Sequence, residues 1–177
     1  VVGDTDIGPN ATTTLDCMAS EDYSFALHVG DLSYATEGSG WNRFFELIEG
    51  NTRSHPWMFA PGNHDHGNRT GFASYDARVP MPDPAPEGYD NGSANFYSFN
   101  HNSVHFAVLD NHWEEYPNNP SFDPPHVAWL EHDLQAAAND TAHTWRVVMM
   151  HYPILSAALD GKGWGLGWFL PAPLSER

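Results

Sequence analysis

Phe25-Ala26-Leu27-His28-Val29-Gly30-Asp31-Leu32-Ser33-Tyr34 decides the fold class of this chain. It opens with a short apolar run stopped by glycine, which reads as a buried strand. The strand then delivers an acidic residue beyond its carboxyl end, where open α/β sheets gather reactive groups. The same layout recurs in Val1-Val2-Gly3 before Asp4, in Trp57-Met58-Phe59-Ala60-Pro61-Gly62 before Asn63-His64-Asp65, and in Val147-Val148-Met149-Met150 before His151. Between these runs lie segments of helical spacing: residues 13–22, residues 40–49 with Trp41, Phe44, Phe45 and Ile48 on one side, and residues 126–139 with Val127, Leu130 and Leu134. Two further runs, 95–100 and 104–109, joined by His101-Asn102-Ser103, read as an antiparallel hairpin. Strands alternating with helices, plus a hairpin, predict a mixed α/β layered sandwich. The proline-rich residues 80–92 and residues 116–125 read as surface loops.

Composition narrows the partners. A chain of 177 residues with 41% hydrophobic content supports one ordinary domain or most of one. No apolar run is long enough to span a bilayer, and the first residues lack the layout of a signal peptide. Seven Lys+Arg against twenty-three Asp+Glu give a net charge of -16, which repels nucleic acid and anionic membranes alike. An anionic substrate would need its positive potential from bound metal. Sequons at Asn10, Asn68, Asn91 and Asn139, in a chain with one cysteine, predict a glycosylated protein of the secretory route, with any signal removed before residue 1. Cys17 has no partner for an internal disulfide and is expected on the core side of a helix.

Taken singly, the strand-end residues have ordinary roles. Asp4 and Asp31 each follow a glycine, where Asp serves as a turn residue or helix cap, and His151 alone reads as structural. Together they converge on one sheet edge, as carboxylate, amide and imidazole donors do at a metal site. Gly3-Asp4, Gly30-Asp31-Leu32-Ser33-Tyr34, Gly62-Asn63-His64-Asp65 and Val148-Met149-Met150-His151 resemble, in order, four of the five motifs of the purple acid phosphatases: GDxG, GDxxY, GNH[ED], VxxH and GHxH. The resemblance is strong over residues 1–156 and unclear over 157–177. It implies a metallophosphoesterase-type αββα sandwich with mixed sheets, incomplete at the carboxyl terminus. It also implies a secreted enzyme that hydrolyses phosphate monoesters at a dinuclear metal centre. Residue by residue, it implies Asp31 bridging both ions, Asp4 and Tyr34 on Fe(III), Asn63 and His151 on a divalent partner, and His64 beside the leaving group. The second ion is Zn(II), Mn(II) or Fe(II) in the family, and hard oxygen ligands suit the ferric ion. Two such ions can clamp a phosphate and acidify a water, which answers the shortage of Lys and Arg.

The chain departs from the pattern in two places. GHxH is absent, so the resemblance leaves each ion short of one imidazole and predicts weak metal uptake by the chain as written. With the amino-terminal β-domain of plant-type members also absent, the resemblance suggests a piece of a longer protein. The first motif reads Gly3-Asp4-Thr5-Asp6-Ile7-Gly8 and offers two aspartates; Asp4, directly after Gly3, is favoured, with Asp6 as an outer or extra ligand. His66 is expected on a solvent-exposed loop, and His112 either overlooks the site or is a loop residue. The competing functions are a phosphodiesterase or nucleotidase of the same superfamily, and a non-catalytic remnant.

Overall fold

A computed structural model of the chain describes residues 1–35, 38–66, 73–79, 96–110 and 124–152. The elements run α1 (Pro9–Ala19), β1 (Ala26–Val29), α2 (Gly38–Thr52), β2 (Trp57–Ala60), α3 (Ala73–Asp76), β3 (Tyr97–His101), β4 (Val104–Val108), α4 (Pro124–Asn139) and β5 (Trp145–Met149). Proline in the first turn of α1 costs no hydrogen bond there, and Ala11 and Leu15 bury one face of that helix. In α2 the apolar residues fall at helical spacing, so Trp41, Phe44 and Ile48 are buried, with Phe45 at the edge of the core. Asn51 shares that face because its polar atoms are satisfied: Nδ2 donates to the Leu15 carbonyl (3.1 Å), and Oδ1 accepts from the Tyr23 hydroxyl (3.0 Å).

Strands β1 and β2 pair in parallel, Ala26 beside Trp57 and Val29 beside Ala60. In the second sheet β3 and β4 form the predicted hairpin, turning at Asn102, whose positive φ of 50° asparagine tolerates well. Strand β5 then pairs in parallel with β4. Residues 1–3, expected as a strand, contribute one parallel bridge, Val2 to His28, held by Val2 N–H to the Leu27 carbonyl (2.9 Å) and Val29 N–H to the Val2 carbonyl (2.8 Å).

Side-chain alternation sorts these elements into layers. Ala26, Trp57 and Phe59 face α1 and α2. Leu27, Val29, Met58 and Ala60 face the other way and pack against Tyr97, Val108 and Met149 of the second sheet. The far face of that sheet carries Ala107 and packs with Phe96 and Leu109 on Trp129 of α4. The order is helix, sheet, sheet, helix, as the resemblance implied, and Tyr97 ties the sheets by donating its hydroxyl to the Phe59 carbonyl (2.9 Å).

Two expectations are corrected. Cys17 lies in α1 but is exposed, because the buried line of that helix runs through Ala11 and Leu15. In α4 Val127 is 45% exposed, since the buried anchors are Trp129 and Ala137. Strand β5 is the outer strand of its sheet among the described residues, and it leaves Trp145 67%, Val147 38% and Val148 37% exposed.

Candidate metal centre

Parallel pairing brings the carboxyl ends of β1 and β2 side by side, and β5 ends close enough for His151 to reach β1. The His151 ring donates from Nδ1 to the Val29 carbonyl (2.8 Å). A neutral imidazole held this way presents the lone pair of Nε2 on its other side. That atom lies 3.1 Å from Asn63 Oδ1 and 3.5 Å from Asp31 Oδ2. One ligand atom each from Asp4, Asp31 and His151 falls within 4.8 Å of the others. Tyr34 joins the group by donating its hydroxyl to Asp4 Oδ1 (2.8 Å). Lone pairs facing one another in a half-buried pocket are stabilised by a shared cation, so this mixture of carboxylate, amide, phenol and imidazole fits a metal.

Close backbone packing makes the convergence possible. A Cβ on Gly30, whose φ is 91°, would stand 2.7 Å from the Gly62 nitrogen and 2.9 Å from His151 Nδ1. One on Gly62 would collide with the backbone nitrogen and carboxylate of Asp31. The glycines before Asp31 and Asn63 therefore let the two loops lie back to back. Asp65 stitches those loops together: its carboxylate accepts the N–H groups of Asp31, Leu32 and Gly62, each at 2.8 Å. Burial pushes its pKa up to about 7, with the charge of Asp31 adding to the rise, while the backbone N–H groups of Leu32, Gly62 and Asp31 pull it down. Asp31 is itself aimed by the His64 N–H, which donates to its Oδ1 (2.9 Å).

Backbone strain collects at the same place. Asp4 (φ 52°), Asp6 (63°), Asp31 (56°) and Tyr34 (52°) all adopt the left-handed region, at a cost on the order of 1 kcal/mol each. The Tyr34 ring lies at the mouth, 38% exposed, with its centroid 4.5 Å from that of His64. Burial raises its pKa, and the hydrogen bond to Asp4 and the charge of Asp31 raise it further, so the phenol keeps its proton unless a strong cation displaces it. His64, also exposed, is free to meet a ligand from solvent.

All six site residues expected from the sequence, Asp4, Asp31, Tyr34, Asn63, His64 and His151, lie in this one cluster. Asp4, not Asp6, stands in the donor group. His66 is buried rather than exposed, because Asp65 draws the turn after β2 inward. Asn10 and Asn139 are exposed, while Asn68, Asn91 and His112 lie outside the described residues. Two contributors escaped the sequence reading: the clamp made by Asp65, and a buried contact between Thr5 Oγ1 and His28 Nε2 (2.7 Å) beneath Asp4. The first had a faint signal in the aspartate that closes Gly62-Asn63-His64-Asp65, and the second had none.

The sequence matches the family model described as Calcineurin-like phosphoesterase over residues 1–176. Among curated proteins it is similar to Purple acid phosphatase 22 of Arabidopsis thaliana, 32% identical over 92% of this chain and 37% of that protein. It is also similar to Acid phosphatase type 7 of Homo sapiens, 35% identical over 78% of this chain and 31% of that one. The chain thus spans about a third of the length of these relatives. Among solved structures, a purple acid phosphatase from yellow lupin seeds superposes with a TM-score of 0.65 at 21% identity, covering 88% of this chain and 30% of the lupin chain. That likeness is one of fold.

Proposed function

The chain belongs to the calcineurin-like phosphoesterase family, and from that premise we propose that it carries the active centre of an acid phosphatase that hydrolyses phosphate monoesters. The observation that carries this reading is the gathering of Asp4, Asp31 and His151 within 4.8 Å, with Tyr34 and Asn63 hydrogen-bonded to its edge. In the proposal, Asp4, Asp31 and Tyr34 hold Fe(III), while Asp31, Asn63 and His151 hold Zn(II), Mn(II) or Fe(II). When bound, the ions supply Lewis acidity and the positive potential that a chain of net charge -16 lacks.

The chain's own residues do the rest. Val29 holds the His151 ring so that Nε2 keeps its lone pair, and the His64 N–H fixes the Asp31 carboxylate. The protonated His64 ring, open to solvent beside Tyr34, delivers a proton to the departing ester oxygen, which favours mildly acidic pH. The proposed setting is the secretory route, with glycans on the exposed Asn10 and Asn139; a mass shift on enzymatic deglycosylation checks it.

Turnover of p-nitrophenyl phosphate and of its bis-ester by the chain extended through a GHxH segment, followed across pH, tests the reading. An acidic optimum with preference for the monoester is expected; a strong preference for the diester, or an optimum well above neutrality, points to a diesterase instead. Tyr34→Phe should abolish the visible tyrosinate-to-iron band of the metal-loaded protein while keeping the fold. A colourless, iron-loaded, active wild type overturns the role given to Tyr34.

A further inference from the structure

Beneath the proposed centre, β1 carries a histidine where its neighbours on the same face are apolar. His28 is fully buried, with ring contacts to Phe44 (5.7 Å), Trp57 (6.3 Å) and Phe59 (5.9 Å), in the layer that faces α1 and α2. A leucine or phenylalanine would fill such a place without desolvating a polar ring. The imidazole makes one hydrogen bond, from Nε2 to Thr5 Oγ1, while Nδ1 has no hydrogen-bond partner among the described residues. A buried acceptor lone pair is tolerated better than a buried N–H without a partner. The favoured tautomer therefore protonates Nε2, which donates to the Thr5 hydroxyl.

Thr5 sits between Asp4 and Asp6, both in the left-handed region. A turn with two such residues does not hold its shape unaided. Its two backbone ties are the Asp4 N–H to the Gly30 carbonyl (3.0 Å) and the Thr5 N–H to the Asp31 carbonyl (3.1 Å), both made by main-chain groups. The side-chain bond to His28 supplies a third point and anchors the turn to the core of the helix–sheet layer.

We propose that His28 is a positioning residue of the metal centre, acting through Thr5 to hold the turn that aims the Asp4 carboxylate at its ion. This rests on the metal-centre reading above. The arrangement is the familiar support of a ligand by an outer hydrogen bond, moved one residue along the chain.

Thr5→Val removes the hydroxyl at nearly constant volume, Thr5→Ser keeps it, and His28→Leu removes the partner. Zn(II) affinity, measured by competition with a chromogenic chelator, should fall about tenfold in Thr5→Val and in His28→Leu, no further in the double variant, and by less than about twofold in Thr5→Ser. In the metal-free chain, amide exchange at Asp4 and Thr5 should quicken in Thr5→Val and not in Thr5→Ser. Should His28→Leu fail to fold, the Thr5 pair decides. Unchanged exchange in Thr5→Val, wild-type Zn(II) affinity in Thr5→Val, or an equal loss in Thr5→Ser each overturns the proposal. A wild type extended through a GHxH segment that still takes no Zn(II), while Thr5→Val quickens exchange, overturns the metal reading and upholds the tether.

Discussion

Asp6 has a left-handed backbone at the position where the purple acid phosphatase pattern GDxG has its second glycine. The carboxylate there is outside the donor group, so the φ of 63° is the main demand on the residue. Asp6→Gly and Asp6→Ala both remove the charge, and only alanine keeps a Cβ in that region. Chemical denaturation should find the glycine variant more stable than the alanine variant by about 1 kcal/mol. His28 makes a second residue-level prediction. Its burial lowers its pKa from 6.5 to about 3. A histidine depressed in the folded state binds its proton more readily when unfolded. Its contribution is therefore complete above about pH 6.5 and is lost as pH falls toward 3. The full span corresponds to on the order of 5 kcal/mol. Unfolding free energies between neutral pH and pH 4 should slope less steeply in His28→Leu than in wild type.

Among the elements, α4 is fastened to the hairpin by polar as well as apolar contacts. Asp133 accepts from the Ser98 hydroxyl (2.7 Å) and pairs with His105 Nε2 (2.7 Å), and His105 Nδ1 reaches Asn100 Oδ1 (2.7 Å). The contact is nearly enclosed, with side-chain exposures of 9% and 12%. Asp133→Ala should cost about 2 kcal/mol by leaving His105 Nε2 and the Ser98 hydroxyl without their acceptor, and Ser98→Ala about 1 kcal/mol, both read from urea unfolding. Much of this level was legible in the sequence, because α2 and the hairpin announce themselves through local apolar period and turn residues. On α4, Leu130 and Leu134 pack against the core as their spacing predicts, while Val127 does not, because Trp129 fills the space over Ala107. The proposed ligands could be named from the sequence for a similar reason: each stands in a short motif just after an apolar run. The supports were not, because Thr5 lies 23 residues from His28, and Asp65 lies 34 from Asp31. No local pattern records contacts across such separations.

At the scale of the whole molecule, carboxylates dominate, and the proposed centre concentrates Asp4 and Asp31 at one sheet edge. Like charges held together oppose folding until a cation joins them. Zn(II) at a hundred times its dissociation constant should stabilise the chain by about 2.7 kcal/mol and raise its melting temperature, with a chelator reversing the gain in a calorimetric scan. A chain so acidic disperses readily, since its copies repel. Among the described residues, strand β5 works against that dispersal: it is an outer strand of its sheet there, and Trp145, Val147 and Val148 stand exposed on it, with Arg146 as the cation among them. Salt that screens the repulsion uncovers this edge as a template on which a second strand can nucleate. Shelf life is then governed by ionic strength, with concentrated stocks keeping best in dilute buffer and clouding in brine.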